Sequence, residues 1–287
     1  MDQAQKLRDI VQENSPESAN RHDARIITVS SGKGGVGKTN FTVNMAIALA
    51  KLKKRVTIID ADLGLANVDV LFGIVPKYNL SHVVKGEIPV QDCIFKGPYD
   101  INIISGGSGI MDLIDLDQNQ LEKLIHSLLY FNDVSDYILI DTGAGLSKSV
   151  LSFVDAASDV IVVITPDPTS ITDAYALIKN IVKEDDKKIK LIINRVDSNE
   201  EGDEVFNKLE QAVSKFLSKE LENMGYIFED SNLKKAVRKQ MPVIEAYPRA
   251  ISSKGIENIA YNLDNNSKYV KSAHSFKTFI NKLINKI

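Results

Sequence analysis

The feature that most constrains this chain is the run Ser31-Gly32-Lys33-Gly34-Gly35-Val36-Gly37-Lys38-Thr39. It carries the pattern G-x-x-x-x-G-K-T from Gly32 to Thr39. An Ile/Val-rich run, Ile26–Val29, precedes it, and a helical pattern, Thr39–Leu52, follows. That strand–loop–helix context gives the pattern its meaning. The glycines permit a tight loop whose backbone N–H groups turn inward toward phosphate oxygens. The helix opening near Lys38 aims its positive end at the same space. The candidate nucleotide ligands are therefore Gly32, Lys33, Gly34, Gly35, Val36, Gly37, Lys38, Thr39 and the adjacent Asn40. Lys38 is expected to reach the β- and γ-phosphates. The Thr39 hydroxyl is expected to bind Mg²⁺.

The rest of the chain agrees with a phosphate-binding α/β fold. Short apolar runs at Ile26–Val29, Arg55–Asp60, Ile101–Ile104, Tyr137–Asp141, Asp159–Thr165, Ile189–Asn194 and Tyr226–Phe228 read as strands buried on both faces. Helical patterns at Thr39–Leu52, Asn119–Phe131, Ser147–Ala157, Ser170–Glu184 and Glu204–Met224 lie between them. Alternating β and α segments predict a mostly parallel, twisted sheet with helices on both faces. Ligands of such sheets bind outside the carboxyl ends of the strands. Two apolar runs end there in acids. Ile58-Ile59-Asp60-Ala61-Asp62 closes the second strand, and Tyr137-Ile138-Leu139-Ile140-Asp141 closes another. The latter has the form of a strand whose terminal Asp holds Mg²⁺ through water.

The loop also resembles the deviant Walker A (MinD/ParA-like) P-loop ATPases, whose signature is K-G-G-x-G-K-T. Lys33 to Thr39 match every fixed position. The resemblance covers roughly residues 25–265. It implies ATP and ADP as ligands, slow hydrolysis, and a homodimer enclosing two nucleotides. In that dimer Lys33 would cross to the partner's nucleotide, as an arginine finger does. It also implies that Asp62, from a D-x-D-x-G switch, orients the attacking water, so that Lys33, Lys38 and Asp62 form the catalytic set. Thr39, Asp62 and Asp141 become the metal set, and Asp60 braces the loop or the metal shell. Asn67 is implied as a switch residue, and Gly143, in Thr142-Gly143-Ala144-Gly145, as a γ-phosphate sensor. Relatives often carry Pro where this chain has Ala144. Asn194 and Arg195 are implied at the adenine edge and ring face, with Asp230 and Pro242 in the last adenine-side loop.

Both ends add to the resemblance. Asp2-Gln3-Ala4-Gln5-Lys6-Leu7-Arg8 is similar to the D-Q-A-x-x-L-R arm of the FlhG-type branch of that family, the regulators of flagellar placement and number. The resemblance implies that Gln3, Leu7 and Arg8 contact an FlhF-like GTPase and stimulate it. Residues 1–24 then form a partner-binding arm and linker, and 25–265 the ATPase domain. In residues 266–287, Phe276, Phe279, Ile280, Leu283, Ile284 and Ile287 recur at helical spacing, with Lys277, Lys282 and Lys286 off that stripe. An apolar face bordered only by basic charge reads as an interfacial membrane helix. The same stripe would serve equally for packing on its own domain.

Composition narrows the alternatives. The 287 residues carry a net charge of −3 and a single cysteine, Cys93. One cysteine holds neither a disulfide framework nor, in one chain, a cysteine-ligated metal; an iron–sulfur carrier of related fold needs paired cysteines. A ParA-type partition ATPase needs a dense basic surface and salt-sensitive DNA binding, so no specific nucleic acid is expected. A MinD-type division-site ATPase shares the switch and terminal helix, but its chain usually begins near the first strand. The polar first segment and the lack of a long apolar run suggest no signal peptide and no span. The expectation is a cytoplasmic ATPase, peripheral at the inner membrane, with flagellar basal-body partners implied by resemblance.

Overall fold

The computed structural model describes residues 24–62, 67–106, 129–182 and 187–267, together with the single positions 123, 127, 279 and 282. Eight strands form one sheet: β1 (Arg25–Ser31), β2 (Val56–Ala61), β3 (Phe95–Lys96), β4 (Asn102–Ser105), β5 (Tyr137–Ala144), β6 (Asp159–Ile164), β7 (Ile189–Val196) and β8 (Leu221–Phe228). Their order across the sheet is β3-β4-β2-β5-β1-β6-β7-β8. All neighbours are parallel except the short β3–β4 pair. The chain runs outward on one side through β2, β3 and β4, returns to β5 beside β1, and then crosses β1 to continue on the other side through β6, β7 and β8. The crevice above β1 is therefore the switch point where ligands of such sheets sit.

Helices α1 (Lys38–Lys51), α2 (Asn67–Leu71), α3 (Leu80–Lys85), α4 (Lys148–Ala156), α5 (Pro168–Ile181), α6 (Asn199–Leu217), α7 (Ser231–Arg238), α8 (Val243–Ala246) and α9 (Ile251–Ser267) join these strands. Strand alternation divides the core. Ile27 and Val29 face α1 and α9 with Phe41, Met45, Ile256 and Leu263. Ile26, Ile138 and Ile140 face the other way with Phe153 of α4 and Leu80 and Val83 of α3. Val160, Val162, Leu191 and Ile193 meet Leu177 and Ile178 of α5 and Leu209 of α6. α1 is buried on every side from Phe41 to Ala50, so it has no solvent face along that stretch.

All seven expected strands are present. The expected helix Glu204–Met224 is corrected. α6 begins earlier, at Asn199, where the Ser198 hydroxyl accepts from the Glu201 N–H. It ends at Leu217 because Ser218 adopts φ 54°, and the chain re-enters the sheet at Leu221 beside β7. The apolar positions of Leu217, Leu221 and Met224 continue the helical spacing, so periodicity alone overran the boundary. Sequence reading also passed over β3, α2, α3, α7, α8 and α9. The α9 omission was avoidable, since Ile256, Ile259, Ala260 and Leu263 lie at i, i+3, i+4 and i+7 and are all buried. Of the expected helix Asn119–Phe131, only part lies within the described residues.

Of the C-terminal stripe, Phe279 is described. It is 2% exposed and packs with Ala24, Ile59, Phe131 and Phe153. The other five residues of the stripe, and Gln3, Leu7 and Arg8 of the arm, lie outside the described residues. No helix among the described residues is long and apolar enough to cross a membrane. Cys93 is buried, and burial pushes its thiol up to about 12.

Gly202 of α6 lies under the ring of Tyr226, where an added Cβ would come within 2.8 Å of three ring carbons. The ring is held by Asp203 Oδ1 at 2.5 Å and by Asn223 Nδ2 at 2.7 Å. Gly→Ala in a helix gains about 1 kcal/mol of propensity. Overpacking here costs about 1–3 kcal/mol and prevails. Gly202→Ala should therefore lower the midpoint of thermal unfolding by several degrees. A raised midpoint would show that the ring moves aside freely.

Candidate functional site

The phosphate loop is clamped from two sides. The Asn194 Nδ2 group of β7 donates to the Val36 carbonyl at 2.7 Å. Gly37, at φ 93°, caps α1, and a Cβ there would sit 2.4 Å from the same Nδ2. At the loop's start, a Cβ on Gly32 would lie 2.3 Å from the Asp173 carbonyl of α5. These positions require glycine because backbone and side chain occupy the space of a methyl group. Between them, Gly34 and Gly35 face open space, with nothing within 4 Å of an added Cβ.

Beneath the loop lies the carboxylate of Asp141, which is fully buried. Lys38 Nζ donates to its Oδ1 at 3.0 Å, Thr42 Oγ1 to Oδ1 at 3.0 Å, and Thr39 Oγ1 to Oδ2 at 2.7 Å. β5 brings Asp141 up beside β1, and the first two turns of α1 deliver the three donors. Sequence reading found Lys38, Thr39 and Asp141 but missed Thr42, which no motif marks.

Asp60 ends β2 and lies 1% exposed. Its carboxylate accepts from the backbone N–H groups of Asp62 (3.0 Å), Asn67 (3.0 Å) and Val68 (3.1 Å). Asp60 thus ties Asp62 to the start of α2 through backbone hydrogen bonds. Burial, then the nearby Asp141 charge, pushes its carboxyl up to about 7, against the pull of the Val68 and Asp62 N–H groups. Asn67 Nδ2 donates to Asp62 Oδ2 at 3.2 Å, so two expected switch residues are already in contact. An added Cβ on Gly143 would lie 3.5 Å from Asp62 Oδ1, which places the second switch beside the first. The Gly145 N–H donates to the Ser31 carbonyl at 2.9 Å and ties that switch to the phosphate loop.

A cleft of about 290 Å³ opens between the loop and α2, near the small end of ligand sites. The loop from Gly34 to Asn40 lines one side, Asp62 and Asn67 another, and Val70, Leu71 and Val237 supply an apolar rim. Asp230 and Pro242 do not line it. Asp230 instead caps α7 by accepting from the Asn232 N–H at 2.8 Å, and it holds Ser252 Oγ of α9 at 2.8 Å. Burial raises its pKa, but these hydrogen bonds outweigh that and keep it below the usual carboxylate range. Pro242 caps α8. Arg195 is exposed at φ 61°. Asn194 accepts the Arg195 N–H at 3.0 Å in addition to holding Val36, so it acts first as a brace of the loop. Lys33 Nζ reaches Thr169 Oγ1 of α5 at 2.6 Å.

The donor set suits Mg²⁺ and a polyphosphate. Thr39 and Asp141 offer hard oxygens, while the glycine amides and Lys38 offer N–H donors to phosphate. Among the described residues no three His, Cys, Asp or Glu side chains cluster as a metal site. Mg²⁺ with nucleotide needs none, since it is held by one or two protein oxygens plus phosphates and water.

Comparison with known proteins agrees. Residues 27–243 match the model of the CobQ/CobB/MinD/ParA nucleotide binding domain. The chain belongs to that family. It is 42% identical over 244 residues to the antiactivator FleN of Pseudomonas aeruginosa, covering 85% of this chain and 87% of FleN. It is 38% identical over 267 residues to the flagellum site-determining protein YlxH of Helicobacter pylori, covering 90% and 88%. Among solved structures, the septum site-determining protein MinD of Pyrococcus horikoshii, complexed with Mg-ADP, superposes with a TM-score of 0.70 at 25% identity, over 85% of this chain and 97% of that one. The family member described here is thus a P-loop ATPase similar to the flagellar proteins FleN and YlxH.

Asp60 carries a pH dependence. Between pH about 4 and about 7 the folded chain keeps a proton on Asp60 that the unfolded chain has lost. Stability of the nucleotide-free protein therefore falls as pH rises through that window, by at most about 4 kcal/mol at about 1.4 kcal/mol per unit. Denaturant titrations at about pH 4.5 and about pH 7.5 should show this loss, and Asp60→Asn should reduce it. An identical loss in both proteins would place its origin elsewhere.

Proposed function

We propose that this chain is an ATP-driven dimerising switch that regulates flagellar placement and number. The observation that carries the reading is Asp141 joined to Lys38 and Thr39 beneath a glycine cradle, with a second lysine, Lys33, on the rim. Bound nucleotide with Mg²⁺ supplies the phosphoryl group and the charge neutralisation on which its hydrolysis depends. In this reading Lys38 and the loop amides bind the phosphates, and Thr39, Asp62 and Asp141 hold the metal shell. Asp62 orients water, Gly143 senses the γ-phosphate, and Asn67 couples the two switches. Lys33 serves the partner's nucleotide. Phosphoryl transfer asks mainly for positioning and charge, so these few groups suffice.

Flagellar assignment rests on the two relatives named for it, FleN and YlxH. Residues 1–24 act as the arm that engages an FlhF-like GTPase, residues 25–265 as the ATPase domain, and residues 266–287 as a helix for the inner membrane surface. Burial of Phe279 supports a tucked state of that helix in one subunit. A single weak anchor binds membrane marginally, whereas two in a dimer bind together. ATP-driven pairing would thereby set membrane residence. Basal-body proteins are the remaining partners of this scheme. The MinD structure solved with MinC is an example of a related fold assembling with a second protein.

Three variants test the scheme. Lys38→Ala should abolish ATP binding, pairing and recruitment to anionic lipid vesicles together. Asp62→Ala should keep ATP-dependent pairing while turnover falls roughly a hundredfold or more. Removing residues 1–12 should end stimulation of an FlhF-type GTPase and leave ATP affinity intact. Vesicle recruitment of Lys38→Ala at the wild-type level would sink the switch.

A further inference from the structure

Lys33 can act on a partner's nucleotide only if its side chain leaves its own subunit. In this conformation the ammonium is held at home, 2.6 Å from Thr169 Oγ1 in the first turn of α5. The backbone beneath it is fixed. Gly32 is pressed against the Asp173 carbonyl, and the Lys33 carbonyl accepts from Ser31 Oγ at 3.0 Å. Only the side chain is then left to move.

The hold is also slight. Among the described residues no ion pair joins Lys33 to a carboxylate. The N-terminus of α5 carries partial positive charge, which opposes an ammonium placed there. One neutral, exposed hydroxyl thus retains a cation against an unfavourable dipole. A triphosphate carries full negative charge where this hydroxyl carries none, so its Coulombic attraction for the ammonium exceeds that of the neutral acceptor.

We propose that Thr169 is a positioning residue for Lys33: its hydroxyl parks the lysine on its own subunit and so raises the threshold for nucleotide-driven pairing. This rests on the reading that Lys33 acts in trans. α5 thereby joins the switch, because its first turn is in direct contact with the residue that reports on the partner.

The test compares Thr169→Val, which keeps the β-branched shape without the hydroxyl, with Thr169→Ser, which keeps the hydroxyl. Pairing is measured by analytical ultracentrifugation with Mg²⁺ and a non-hydrolysable ATP analogue. In parallel, NMR of ¹³C-methylated lysines reports the Lys33 environment in nucleotide-free protein. Thr169→Val should shift the Lys33 resonance and lower the protein concentration for half-maximal pairing roughly three- to tenfold. Thr169→Ser should behave as wild type on both readouts. A freed Lys33 resonance with unchanged pairing overturns the inference while the trans role stands. Pairing that survives Lys33→Ala undiminished overturns both.

Discussion

A single buried carboxylate organises this molecule. Asp141 lies at the end of a central strand with no solvent exposure, and it takes hydrogen bonds from one ammonium and two hydroxyls of α1. Burying an unpaired carboxylate would cost several kcal/mol, so strand and helix are bound to one another through this contact. Because α1 is also the most enclosed helix of the core, the position of the phosphate loop is set by the packing of the whole sheet. The loop cannot drift without pulling Lys38 and Thr39 off Asp141.

Around that anchor the moving parts are connected by short, direct contacts. Asp60 gathers the backbone N–H groups of Asp62, Asn67 and Val68 on one carboxylate. Asn67 touches Asp62, Gly143 lies beside it, and Gly145 bonds to Ser31 at the root of the phosphate loop. Asp60, Asp62 and Asn67 are joined to one another by direct hydrogen bonds, with Gly143 beside them. The helix that follows Gly145, α4, carries Phe153, which packs with Phe279 near the end of the chain. The switch and the terminal segment thus share one layer of the core.

The fold was largely legible because buried parallel strands announce themselves as apolar runs, and the phosphate loop because glycine and lysine spacing is dictated by a ligand. Lys38, Thr39 and Asp141, singled out separately in the sequence, meet in the structure. What escaped had a different origin. Thr42 bonds Asp141 from one turn farther along α1, and no residue spacing distinguishes it from an ordinary helical threonine. The end of α6 at Ser218 depends on a left-handed backbone that a serine seldom adopts. The role of Asn194 as a brace for Val36 depends on β7 passing behind the loop, which is a tertiary fact. Asp230 was expected at the nucleotide and serves instead to cap α7 and fasten α9, because a side chain accepting N–H groups at a helix start looks the same in sequence as one facing a ligand.

Cys93 has a practical consequence. Enclosed in the core and with its thiol pushed up to about 12, it has almost no thiolate at neutral pH and little access to reagents. The native chain is therefore already silent toward maleimides. A cysteine introduced at one exposed site would carry a fluorophore or spin label as the sole reactive handle, so the proposed pairing can be followed without first rebuilding the interior.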